Sequence, residues 1–136
     1  LMAADTNTGE LLWMRRDVPS QAEAIADDQH VLLLDPQKSE ALLFRATDGE
    51  LLARRSVPLV DTWLWFSGTR LISFVGPPET RTLECLDLLT GQKLWSESLS
   101  PTTRCAMLDD GGVACLDQNG QWRVLDRSTG QERSSG

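Results

Sequence analysis

The residues able to do chemistry in this 136-residue chain are few. They are one histidine, His30, three cysteines, Cys85, Cys105 and Cys115, and two acidic pairs, Asp27-Asp28 and Asp109-Asp110. A nucleophile–base arrangement would have to recruit His30. That residue stands at a turn just ahead of the apolar run Val31-Leu32-Leu33-Leu34 and reads as an exposed turn histidine. The cysteines and His30 make a Cys₃His set by count alone, because no C-x₂-C spacing brings two sulfurs onto one metal. Cys105 and Cys115 flank the turn Asp109-Asp110-Gly111-Gly112 and could face each other across a hairpin. Three cysteines cannot all pair, and the plainer reading is small apolar strand residues. The two acidic pairs recur at the same place in two repeats, which points to turn formation rather than to acid–base catalysis. Asp5-x-Asn7-x-Gly9 invites a calcium-loop reading, but the glycine comes one position early and the twelfth position is Arg16, not a bidentate glutamate.

The elements that carry these residues repeat. Asp5-Thr6-Asn7-Thr8-Gly9-Glu10-Leu11-Leu12-Trp13 is echoed from Arg45 to Ala53, from Asp87 to Trp95 and from Asp126 to Glu132. The aligned glycines, Gly9, Gly49, Gly91 and Gly130, lie 40, 42 and 39 residues apart. A period of about 40–45 residues is that of a four-stranded propeller blade. Short apolar runs bounded by Gly, Pro, Asp and Asn fill each period: 22–25, 31–34 and 41–45, then 62–66, 71–75 and 82–87, then 104–108, 113–116 and 122–126. The expected fold is therefore all-β, a β-propeller of four-stranded antiparallel blades with about three and a half blades present. With strands lettered A to D within a blade, 1–19 supplies strands C and D of one blade. Residues 20–57 and 58–100 are complete blades, and 101–136 is a blade lacking most of its last strand.

Ala3-x-Asp5-x-x-Thr8-Gly9-x-x-x-Trp13 resembles the tryptophan-docking motif of the pyrroloquinoline-quinone-type (PQQ-like) β-propellers. That family includes quinoprotein dehydrogenases and non-enzymatic relatives such as the lipoprotein of the outer-membrane barrel-assembly machine. The stretch from Cys85 through Asp87 and Gly91 to Trp95 matches again, with Cys85 for the usual alanine. The resemblance implies that each tryptophan stacks on the first residue of its own motif and on the glycine of the next. Trp13 would then dock toward Gly49, and Trp95 toward Gly130. Arg45 and Ala53 depart from the pattern, as does Ser134, which follows Asp126 and Gly130 at the fourth tryptophan position. The family's enzymes hold quinone with calcium, use an aspartate base and often carry adjacent cysteines. No such constellation is assignable here, so no cofactor is expected in this segment. The resemblance also favours an extracytoplasmic location, in the periplasm or cell envelope.

A balance of 13 basic against 20 acidic residues, net −7, argues against nucleic acid as a partner. No apolar run approaches the ~18 residues of a membrane span. What remains is a rigid disc whose loops meet a protein partner, with further blades or a second chain needed to close the ring. The D–A and B–C loops share one rim, and its most distinctive segment is Gly76-Pro77-Pro78-Glu79-Thr80-Arg81. Adjacent prolines preorganise that loop, making Pro77, Pro78, Glu79 and Arg81 the candidate binding residues. The alternatives are a segment of a quinone-dependent dehydrogenase and a carbohydrate-binding propeller. The second of these would use Trp63 and Trp65, two apart on a strand and so on one face, although blade packing is the plainer role for them. The arginine pairs Arg15-Arg16 and Arg54-Arg55, at matching strand ends, read as a solvated blade rim.

Overall fold

Apolar side chains on short strands can be buried only by stacking one sheet on the next. In the computed structural model, residues 1–58 and 63–136 are described, and they form fourteen strands in four antiparallel sheets. β1 (Met2–Ala4) and β2 (Leu11–Met14) make a two-stranded sheet. β3 (Glu23–Ala26), β4 (His30–Asp35), β5 (Glu40–Arg45) and β6 (Leu51–Ser56) make the second. The third contains β7 (Trp63–Ser67), β8 (Arg70–Val75), β9 (Thr82–Asp87) and β10 (Lys93–Ser98). The fourth contains β11 (Arg104–Met107), β12 (Gly112–Leu116), β13 (Trp122–Asp126) and β14 (Glu132–Ser135). Every sheet pairs its strands in chain order, so each is a blade, and the whole is a partial β-propeller. Of the expected elements, Thr62, expected to open the run 62–66, and Leu59, Val60 and Asp61, expected in the D–A loop, lie outside the described residues.

The fourth blade differs from the sequence expectation. Its outer strand is present over Glu132–Ser135, where the sequence left most of it out. All four residues are exposed, so an edge strand that buries nothing left no apolar pattern to read.

The middle strands are buried on both faces, which is why they read as continuous apolar runs rather than alternating ones. Leu32, Leu34, Ala41 and Leu43 pack toward the third blade with Phe66, Leu71 and Leu88. Leu33, Leu42 and Phe44, on the opposite face, pack toward the first sheet with Leu1 and Val18. The third and fourth blades meet through Ile72, Leu83, Cys85, Trp95, Val113, Cys115 and Leu125. Each such buried aliphatic side chain contributes about 1.5–3 kcal/mol relative to an exposed one.

Two sets of backbone bonds define the rims. Ala46 N–H donates to Gln29 O, Leu88 to Thr69 and Arg127 to Gly111, tying each C–D turn to the A–B turn of its own blade. On the other rim Val57 N–H donates to Ser39 O and Leu99 to Arg81 O, tying each D–A loop to a B–C loop.

Candidate functional site

The repeated turn explains the repeated sequence. Asp5 Oδ1 accepts the N–H groups of Asn7 and Thr8 at 2.7 and 3.1 Å, and Thr8 Oγ1 accepts that of Glu10 at 3.2 Å. Gly9, at φ 71°, returns its N–H to Asp5 O. Asp87 and Asp126 head turns with the same bonds. These carboxylates are occupied by their own backbone. The N–H groups of Asn7 and then Thr8 hold the Asp5 carboxyl below the usual carboxylate range, and Asp126 is held down first by the Arg133 guanidinium and then by Ser128 N–H. Arg45, in the aspartate's place, grips Asp48 and Glu50 at 2.8 and 2.7 Å, while Asp48 accepts Glu50 N–H as Thr8 accepts Glu10.

Past each turn the C and D strands slip register by one residue: Ala4 faces Leu11 but Ala3 faces Trp13, and Leu86 faces Lys93 but Cys85 faces Trp95. The extra residue bulges the D strand and re-aims the next side chain. That side chain is the tryptophan. Trp13 Nε1 donates to Ala46 O at 2.7 Å and Trp95 Nε1 to Arg127 O at 2.8 Å, each in the following blade. The indoles lie over Gly49 and Gly130, so closely that a Cβ there would sit 2.6 and 2.8 Å from ring carbons.

The second blade lacks the tryptophan, and the sequence offered no replacement. The structure supplies Arg55. Its Nε donates to Leu88 O at 2.9 Å, the carbonyl equivalent to Ala46 O, and its Nη2 donates to Leu89 O at 2.6 Å. Its guanidinium lies against Gly91. Arg15, at the matching strand position, donates to Gly49 O at 2.9 Å and stacks on Phe44. Reading both arginines as solvated was wrong, because each long stem carries its planar donor group across the blade junction. The signal was present in the vacancy: Gly91 closes an intact turn with no tryptophan on the preceding blade to cover it. Arg54 is exposed and meets Glu40. Arg55→Ala should therefore cost about 1–3 kcal/mol in a urea melt, against a few tenths for Arg54→Ala. Equal losses would show that Arg55 docks nothing.

Two further readings change. Trp63 faces Ser73 while Trp65 faces Ile72, so a bulge at Leu64 turns the two indoles to opposite faces of β7. Trp63 packs with the second blade and reaches Glu23, whereas Trp65 packs toward the fourth blade under Arg127, whose guanidinium lies 4.3 Å from the ring centre. A shared-face sugar platform is thereby lost. His30 is not an exposed turn residue: it is half-buried at the head of β4, and its Nδ1 has no hydrogen-bond partner among the described residues. Trp122, at the head of β13, is exposed within this chain.

Asp27 and Asp28 part company. Asp28 is exposed. Asp27 accepts Gln29 and His30 N–H at 2.9 and 2.7 Å and crosses to the third blade to accept Gly68 N–H at 2.6 Å. Burial opposes its ionisation, but those three donors, Gly68 foremost, outweigh it and hold the carboxyl below the usual range. Among the described residues no cluster of three His, Cys, Asp or Glu side chains is placed to hold a metal ion.

On the B–C and D–A rim, Gly76 (φ 93°) turns the chain out of β8, and Pro78–Thr80 form one 3₁₀ turn. Pro77, Pro78 and Glu79 are exposed. Arg81 is half-buried at the base, its guanidinium 5.0 Å from the centre of the Phe74 ring and its Nε without a hydrogen-bond partner among the described residues. The structure thus separates an exposed tip from an anchoring arginine, which the sequence had grouped together.

No protein-family model and no curated protein matches the chain. Solved structures do. BamB from Moraxella catarrhalis is similar over 99% of this chain and 42% of its own, at 21% identity and a TM-score of 0.50. A europium-containing methanol dehydrogenase is similar over 98% of this chain and 37% of its own, at 10% identity and a TM-score of 0.59. The computationally designed Ika8 protein is similar over 96% of this chain and 41% of its own, at 21% identity and a TM-score of 0.62. The chain spans well under half the length of each. These likenesses support the β-propeller fold, and at such identities they speak of fold alone.

Proposed function

We propose that this chain is a non-catalytic propeller module that binds a protein partner through its B–C and D–A rim, in a bacterial cell-envelope setting. The observation that carries the reading is the loop from Gly76 to Arg81. Its tip, Pro77-Pro78-Glu79, is exposed and conformationally fixed by two prolines and a 3₁₀ turn, while Arg81 anchors its base on Phe74. A rigid exposed tip loses little entropy when a partner immobilises it. BamB and a methanol dehydrogenase share this fold, so the likenesses are compatible with a scaffold and with an enzyme alike, and the test separates them.

In the full-length protein, Glu79→Lys should weaken capture of a cell-envelope partner about 10-fold. Asp28→Lys, on the opposite rim, should leave capture unchanged. Arg81 and Asp27 are unsuitable for this comparison because both hold the fold. Equal capture by wild type and Glu79→Lys would overturn the rim assignment. A quinone- and metal-dependent rise in melting temperature together with dye reduction by an alcohol would overturn the non-catalytic reading.

A further inference from the structure

The hairpin β11–β12 sets two thiols against each other. Cys105 and Cys115 are direct register partners, and their Sγ atoms lie 2.8 Å apart, with neither joined in a disulfide. Leu108 N–H donates to Gly112 O at the turn end of this ladder. Hydrogen-bonded and non-hydrogen-bonded pairs alternate in an antiparallel ladder, so the pair three register steps on, Cys105 with Cys115, is non-hydrogen-bonded, the class whose side chains stand closest. Its expected Cα separation, about 4.5 Å, is at the short end of the range a disulfide spans. Bond formation needs the sulfurs to close by roughly 0.8 Å, to about 2.05 Å.

We propose that Cys105 and Cys115 form a reversible dithiol–disulfide site that exchanges with small-molecule disulfides of the glutathione type. One thiolate attacks a sulfur of the incoming disulfide, forming a mixed disulfide and releasing the first small thiolate. The second cysteine, deprotonated, attacks the protein-side sulfur and releases the other. The two protein protons pass to the two leaving thiolates. The pair is oxidised by two electrons, and the small disulfide is reduced to two thiols.

The surroundings suit this exchange. Cys105 is only half-buried, so the pair can be reached. The S–H of Cys105 stabilises a thiolate on Cys115, against the cost of burial, and holds the Cys115 thiol below its ordinary value. The hydrogen bond to the Cys115 sulfur and then burial push the Cys105 thiol well above its ordinary value, and the charges of Arg123 and Arg81 offset this only in part, so Cys115 is the thiolate that attacks first. A disulfide at a close cross-strand pair is of the reducible kind, so the site is a reversible one rather than a permanent staple. Cys85 differs: it is fully buried beside Trp95, and burial pushes its thiol up to about 11.

The full chain, reduced and desalted, is incubated with oxidised glutathione without air, quenched in acid and mapped by mass spectrometry. The expected result is the loss of two hydrogens, a single Cys105–Cys115 linked peptide, a free Cys85, and full reversal by dithiothreitol. The oxidised form should melt about 5 °C higher than the reduced form. Cys105→Ser should abolish the two-hydrogen loss and leave glutathione attached at Cys115. The wild-type peptide map stands whether or not that variant folds. Three unreacted thiols in the folded protein, while a denatured sample cross-links, would overturn the proposal. So would a linkage through Cys85 or between chains.

Discussion

Trp95→Ala should lower the stability of this protein by about 3–5 kcal/mol in a denaturant melt. Three losses combine. The indole is 8% exposed and fills the junction of the third and fourth blades with Leu83, Cys85 and Val113. Its Nε1 donor to Arg127 O disappears, leaving a carbonyl whose partner has gone. The backbone at Gly130, over which the ring lies, is uncovered. The second blade already carries alanine at the equivalent position, Ala53, yet is spared this loss because Arg55 reaches across instead. The third blade has no such substitute. Its residue two places on is Glu97, which carries no donor for Arg127 O and is committed to Arg123 at 3.2 Å. Trp122→Ala, at an exposed indole, is the comparison and should cost under about 1 kcal/mol. Equal small losses at the two positions would mean that Trp95 locks no junction.

The legibility of this fold in its sequence follows from which residues act locally. An Asp-to-Gly turn is closed by bonds within six residues, so Asp5, Asp87 and Asp126 announce themselves, and with them the blade period and strand order. Middle strands buried on two faces leave dense apolar runs such as Val31 to Leu34, which fixed most strand positions to within a residue or two. The misses share another cause. A bulge is a one-residue slip with no composition of its own, so the extra residue at Leu64 was invisible and the two indoles were placed on one face. Arg55 and Arg15 act 34 residues away in sequence, through carbonyl groups that any residue could supply. Asp27 looked like a turn former and is one, but its second oxygen bonds Gly68, 41 residues away. At the rim, sequence showed the loop and its prolines; only packing shows that Glu79 projects while Arg81 anchors.

The junctions bear on the proposed function as well as on stability. The candidate loop hangs between β8 and β9, and β9 pairs with β10, the strand that carries Trp95. Arg81 O accepts Leu99 N–H, at the end of the same D strand. The base of the loop is therefore built on the blade that Trp95 locks, and loss of the indole should loosen the rim together with the junction.

Gly49→Ala should cost about 3–4 kcal/mol, and its comparison is Gly9→Ala at about 1–2 kcal/mol. The two glycines share a backbone conformation, φ 72° and 71°, so both alanines carry the same left-handed penalty. They differ in what the added methyl meets. A Cβ at Gly9 has nothing within 4 Å, whereas at Gly49 it would sit 2.6 Å from Trp13 Cδ2. The indole cannot yield cheaply, since its Nε1 is held by Ala46 O at 2.7 Å and its face is packed in the junction. Two routes remain: the ring tilts and breaks that bond, or the first sheet moves off the second. Both penalties need the indole. Once Trp13→Ala has removed it, adding Gly49→Ala should cost only the left-handed penalty, about 1–2 kcal/mol, so the double variant falls short of the sum of the singles by about 2 kcal/mol. Strict additivity, or equal losses at Gly9 and Gly49, would show that Trp13 does not rest on Gly49 and that the docking register between the first two blades is wrong.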